Sequence, residues 1–327
     1  MSRSRYLVFR SAQTVFLLWL VLTLLFFFFR LMPGDFTDLM LAGGADPDAV
    51  QELRDEWGLD DPLYVQYWRY LVNFVQLDLG TSIQYRIPVW DHVSLRIFNS
   101  FILIAPAITA AYIIGSVVGL VAGRNRGSLF EKYGVLPFII AGTFPSFFIA
   151  IVLVVVFAGW LGWFPTSGMY TAGTQSADGA WYSVYFTRDF ALHYVLPFTA
   201  VLLRYLYLPT LIMRTSVVEV LGQDFSFYRR ITGVSQFKQR VQIARHASLP
   251  VLTLYPVSMT RALGGLVLIE FVFNWPGIGR TLVEAVMARD VPVVMFVFFL
   301  IAFFIIIANF IVDVIYGVID PRVSLTD

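Results

Sequence analysis

Three charged residues stand inside runs that are otherwise apolar: Arg204, Arg261 and Glu270, with Asp313 near the end of a fourth such run. Charge in hydrocarbon is costly, so residues of this kind either satisfy one another or line a path for a polar solute. Arg261 and Glu270 are nine positions apart, which places them on roughly opposite faces of one helix at about 100° per residue. They are poor partners for each other. An ion pair such as Arg204 with Glu270 would satisfy the charges structurally, and lining a pathway would use them functionally; the residues alone leave both open.

Other chemistry finds little support. His92, His193 and His246 are too scattered to suggest a metal cluster, and neither H-E-x-x-H nor G-x-S-x-G occurs. A P-loop requires G-K-[ST], but the only lysines, Lys132 and Lys238, follow Glu131 and Phe237. If ATP drives this chain, another subunit hydrolyses it. With no cysteine there is no disulfide framework and no thiolate site.

The elements that must position these charges are membrane spans. Of 327 residues 58% are hydrophobic and 14% charged, whereas soluble domains are about one-quarter charged. A span needs about 20 apolar residues. Six runs qualify, near 11–31, 98–123, 134–162, 190–213, 249–271 and 292–317. The chain is expected to be an all-α integral membrane protein. Arg3, Arg5 and Arg10 before a long uncharged run predict an uncleaved anchor rather than a removable signal, whose apolar core is about 7–15 residues. The tail, the 124–132 loop and the 214–248 loop are rich in arginine and lysine and fall on one side of a six-span topology. The positive-inside rule therefore predicts both termini in the cytoplasm. The net charge of +1 does not point to nucleic acid.

Segment 214–250 is the most basic of the short loops, with Arg214, Arg229, Arg230, Lys238, Arg240 and Arg245. Polar and amphipathic, it belongs on a membrane face, where it can receive force from a soluble partner. Gly115, Gly119 and Gly123 recur every four residues and predict a smooth stripe for close helix packing. Pro106, Pro137, Pro145, Pro197, Pro209 and Pro256 fall within or at the edges of spans and permit kinks there. The 32–97 segment reads as a small helical extracytoplasmic element, with Asp46 capping a helix, Pro47 at its first position and Gly58 ending it. Between Asp35 and Arg96, 11 acidic residues face four basic ones, which suits either a solvated cover for span ends or a docking surface for an extracytoplasmic partner.

Several polar islands carry a family resemblance. They are Leu31-Met-Pro-Gly-Asp35, Trp57-Gly-Leu-Asp-Asp-Pro62 with Gln66-Tyr67, and Asp78-Leu-Gly-Thr-Ser82. Further on come Glu270-Phe-Val-Phe-Asn-Trp-Pro-Gly-Ile-Gly279, Arg289-Asp-Val-Pro292, and Asn309 and Asp313 leading to Tyr316-Gly-Val-Ile-Asp-Pro-Arg322. In this order and spacing the chain resembles the permease subunit of dipeptide/oligopeptide/nickel-type ABC importers.

The resemblance implies a type I importer permease fold with six transmembrane helices in the plasma (inner) membrane. It divides the chain into a tail and first span (1–31), the 32–97 element, and a permease core (98–327) holding the coupling loop 214–248. It implies a second related permease subunit, two ABC ATPase subunits that bind ATP and Mg, and an extracytoplasmic solute-binding protein that delivers peptides or similar small solutes. This chain itself would bind no cofactor. The family's EAA coupling motif maps to about Glu219–Ala247, with Gly233 as its glycine and Asp224, Arg229, Arg230, Lys238 and His246 alongside. Arg229 stands where the motif has a small residue, and the stretch between His246-Ala247 and Pro250 is about one helical turn shorter than usual. An ion-driven secondary transporter and a non-transporting permease-like scaffold are the rival readings.

Overall fold

Helix accounts for nearly all regular structure in the computed structural model, which describes residues 3–31, 47–48, 50–51, 54, 58, 61–173, 181–223 and 235–319. Among these residues the only β feature is an isolated bridge between Thr81 and Pro88. The helices are α1 (Arg3–Arg30), α2 (Leu63–Val75), α3 (Val89–Arg124), α4 (Leu136–Thr143), α5 (Ser146–Leu153), α6 (Arg188–Leu221), α7 (Gln236–Ala247), α8 (Leu249–Val272), α9 (Ile278–Ala288) and α10 (Val291–Ile319).

Five of these are long and apolar enough to cross a membrane: α1, α3, α6, α8 and α10. The third predicted span is broken. Its two halves, Phe130–Thr143 and Ser146–Trp160, meet at 109°. Pro145 causes the break, because its ring disfavours helical geometry at Phe144, which adopts an extended ψ of 146°. Pro137 lies in the first turn of α4 and so starts a helix, while Pro106, Pro197, Pro209 and Pro256 lie inside α3, α6 and α8. In the predicted 46–58 helix Asp46 lies outside the described residues, Pro47, Asp48, Val50, Gln51 and Arg54 are helical, and Gly58 has a φ of +59°, which favours glycine.

The chain forms two compact units, one of Met1–Ile97 with Thr281–Asp327, the other of Phe98–Arg280. In the first, α1 packs on α10. The Tyr70 ring of α2 lies tilted against Phe26 and Phe74, and Phe74 meets Phe299 edge-on. The second unit is built around α6, against which α3, α4, α5, α7 and α8 pack. Its core includes Leu103, Ile108, Ala200, Val201, Met213, Val217, Ala262 and Leu266.

The glycine stripe is the seam between α3 and α6. A Cβ on Gly115 would lie 2.8 Å from Pro209 Cγ, and one on Gly123 would lie 2.7 Å from the Arg214 carbonyl oxygen. At Gly119 the Thr210 carbonyl and Met213 Cβ occupy the same space. Backbone meets backbone along this line, as small residues allow. A side chain here must therefore push the helices apart. Gly119→Val is expected to destabilise the chain by about 1–3 kcal/mol or more. Gly264→Ala, where an added Cβ meets nothing within 4 Å, should be neutral. Thermal unfolding of the purified chain in mild detergent checks both.

Candidate functional site

Breaks between membrane helices leave backbone donors exposed, and the side chains that satisfy them fix the geometry of everything nearby. After α8 the chain turns through 273–277 into α9, whose first turn offers free N–H groups. Glu270, fully buried, receives them: its Oε2 accepts from Gly279 N at 2.8 Å and Arg280 N at 3.0 Å. Its Oε1 accepts from Ser100 Oγ at 2.6 Å, and that hydroxyl accepts from Ile278 N at 2.8 Å. The carboxylate also fills the space a side chain at Gly277 would need.

Asn99, beside Ser100 on α3, completes this clamp. Its Nδ2 donates to the Pro276 carbonyl at 2.8 Å, and its own carbonyl accepts from the buried Trp275 Nε1 at 3.0 Å. Its Oδ1 accepts from the Tyr185 hydroxyl at 2.5 Å. Burial, reinforced by Tyr170, pushes that hydroxyl up to about 12, so it stays protonated as a donor. The Arg204–Glu270 ion pair, one of the two readings that the residues leave open, is thus not formed. Glu270 is held by a serine and by backbone N–H groups whose need for an acceptor outweighs a distant cation.

A second carboxylate performs the same task in the other unit. Asp290, just before α10, accepts from the Ser82 hydroxyl, from Ile83 N at 3.2 Å and from Gln84 N at 3.3 Å. Ser82 Oγ accepts in turn from Tyr85 N at 3.0 Å, which closes the loop ahead of α3. Asp313, in α10, pairs with Arg10 of α1 at 3.1 Å, and the Tyr6 hydroxyl donates to its carbonyl at 3.2 Å.

The basic segment is described at its two ends. Glu219 lies in the last turn of α6. Asp224, Arg229, Arg230 and Gly233 fall outside the described residues. Lys238 and His246 lie on α7, which buries Ile243 and Ala247 in the core beside Val217 and Val220 of α6. The other face of α7 presents Phe237 (74% exposed) and Val241 among the exposed Lys238, Arg240 and Arg245. Arg214, lower on α6, is bound by Glu131, whose other oxygen accepts from Gly127 N.

Arg204 and Arg261 come together elsewhere. Both line a cavity of about 190 Å³ between α5, α6 and α8, with Ser146, Tyr205, Tyr207, Ser258 and Gly265. The Arg204 guanidinium lies 5.7 Å from the ring centres of Tyr205 and Tyr207. Neither arginine has a carboxylate partner among the described residues. Arginine at the centre of a lipid-facing helix costs at least about 2.5–3.5 kcal/mol, so two of them argue against a lipid-facing surface.

Known proteins share this pattern along almost the whole chain. Residues 115–325 match the family described as binding-protein-dependent transport system inner membrane component, and residues 3–98 match the N-terminal part described for such membrane components. The glutathione transport system permease protein GsiC of Escherichia coli O6:H1 is 33% identical over 326 residues, covering 97% of this chain and 98% of that protein. Its namesake in Pectobacterium atrosepticum is 32% identical over 329 residues, with the same coverage. The chain belongs to the binding-protein-dependent permease family.

It is therefore a multi-pass inner-membrane permease subunit of an ABC importer, a transport component rather than an enzyme. A solute-binding protein and ATPase subunits work with it. The geometry gives physical reasons for two of the islands that carry the resemblance. Glu270–Gly279 is the clamp, and Arg289–Pro292 meets Asp78–Ser82 through Asp290 and Ser82. The residues that reasoning from charge overlooked are Asn99, Ser100, Ser82, Asp290 and Glu131. Their signal was the pairing of a polar island with a polar turn elsewhere in the chain.

Glu270→Ala leaves the Ser100 hydroxyl and two backbone N–H groups without their acceptor, a loss of about 1–3 kcal/mol for each. The permease carrying it is expected to unfold well below the wild type in detergent. Glu270→Gln, which keeps one acceptor oxygen, should fall in between.

Proposed function

We propose that the permease forms one half of a translocation pathway for small peptides of about glutathione's size, with ATP and Mg bound on partner subunits. The match to glutathione permeases over 97% of the chain is the observation that carries the substrate class. The second half is a related permease, and two ATPases bind beneath. Both termini face the cytoplasm, so that segment 214–248 faces the ATPases. The 32–97 element lies outside, toward the solute-binding protein.

Coupling runs through Glu219, Asp224, Arg229, Arg230, Gly233, Lys238 and His246. Support comes from α7, an amphipathic helix docked on the base of α6 by Ile243 and Ala247, with Phe237 and Val241 exposed. An apolar centre ringed by cations is the composition of a protein-binding face. ATP binding closes the ATPases and carries α7 with them; only a ligand that distinguishes the two states can shift their balance.

Gly233→Val is expected to reduce uptake of labelled glutathione by at least about tenfold, the lower range of allosteric coupling free energies, while membrane insertion stays intact. Normal uptake by the variant would refute coupling through this loop. Pull-down of the tagged chain should recover an ATPase and a second permease. Recovery of neither, alongside a control importer that stays assembled, would favour a scaffold.

A further inference from the structure

The cavity holding Arg204 and Arg261 has a chemistry that its place in the fold makes specific. Arg204 stands at the middle of the 34-residue α6 and Arg261 at the middle of the 24-residue α8. A 24-residue helix is about 36 Å long, so its midpoint lies near the centre of a hydrocarbon layer about 30 Å thick. Phospholipid headgroups do not reach that depth.

Arg261 is exposed, and Gly264 and Gly265 beside it leave open space: an added Cβ meets nothing at Gly264 and only the Tyr205 hydroxyl, at 3.9 Å, at Gly265. An exposed cation at mid-depth requires water, and the same face is free of bulk. Glu270, the one acidic residue of α8, is engaged by Ser100 and α9 and does not neutralise the arginines. Around them stand hydroxyls and rings: Ser146, Ser258, Tyr205 and Tyr207. Guanidinium groups match carboxylates through paired N–H donors, and a cleft of one charge sign concentrates the opposite sign.

From this we infer that the cavity is a water-filled anion subsite on the translocation pathway, where Arg204 and Arg261 receive a carboxylate of the passing solute. The inference rests on the permease reading and adds the charge class of the cargo. A solute with free carboxylates finds a partner at mid-depth; a cationic one is repelled.

The chain has no cysteine, so a single Gly265→Cys gives a reporter inside the cavity. In the assembled importer in membranes, this thiol is treated with an anionic sulfonate methanethiosulfonate or its cationic trimethylammonium counterpart. The rate ratio is normalised to that of a free thiol. The anionic reagent is expected to be favoured by about tenfold or more. The preference should vanish when Arg204→Gln and Arg261→Gln are added and persist with lysine at both positions. A preference unchanged by the glutamine pair, or one for the cationic reagent, overturns the anion subsite. Failure of both reagents, while Ser167→Cys on an exposed loop reacts, shows a dry cavity and overturns it as well. Glutathione uptake, measured independently, reports whether the permease reading itself stands.

Discussion

Two turns between helices among the described residues answer one constraint: backbone N–H and carbonyl groups withdrawn from water need partners within the chain. At the α8–α9 turn the partner is Glu270, a charged residue buried completely yet satisfied by Ser100 and by Gly279 and Arg280 N–H groups. At the loop before α3 it is Asp290, held by Ser82 and two successive amides. In both places a carboxylate gathers donors that a turn cannot satisfy for itself. Its burial becomes tolerable because each oxygen is occupied.

This use of carboxylates separates two kinds of intramembrane charge that look alike in sequence. Glu270 and Asp313 have settled partners, the first in backbone and hydroxyl groups and the second in Arg10. Arg204 rests against two tyrosine rings, and Arg261 is exposed. The anions thus do structural work, whereas the two cations at mid-helix are kept without an acidic neighbour among the described residues.

The spans were legible because their signal is additive: some 20 apolar residues outweigh any single interruption, and five of the six predicted runs coincide with unbroken span-length helices, the third with a bent pair. The glycine stripe was legible for a related reason, since spacing of four defines one helix face. The break at Phe144–Pro145 was not, because hydropathy is continuous across it and only backbone geometry records the 109° bend. Glu270 stands out in the sequence, but its partners, Ser100 and two backbone amides, do not. Reasoning from charge looks for a countercharge, and an amide at the start of a helix carries no mark in the sequence. The 224–234 part of the coupling segment lies outside the described residues, so its proposed residues there rest on resemblance alone.

Helix α6 joins the arginine cavity, the glycine seam and the base that holds α7 within one unit. Along its length it presents Arg204 to the cavity, Thr210 and Met213 to the glycine stripe of α3, Arg214 to Glu131, and Val217 and Val220 to the core that also holds α7. Two prolines interrupt its hydrogen bonding, and free prolines would make it a hinge. Pro209 is not free: its ring is where a Cβ on Gly115 would have to go, and it is fully packed. A helix pinned at its proline by a backbone-close seam resists bending there. Were α7 to be displaced, α6 would therefore carry the packed helices, and the cavity arginines with them, as one body. Close packing transmits such shifts because interiors compress little.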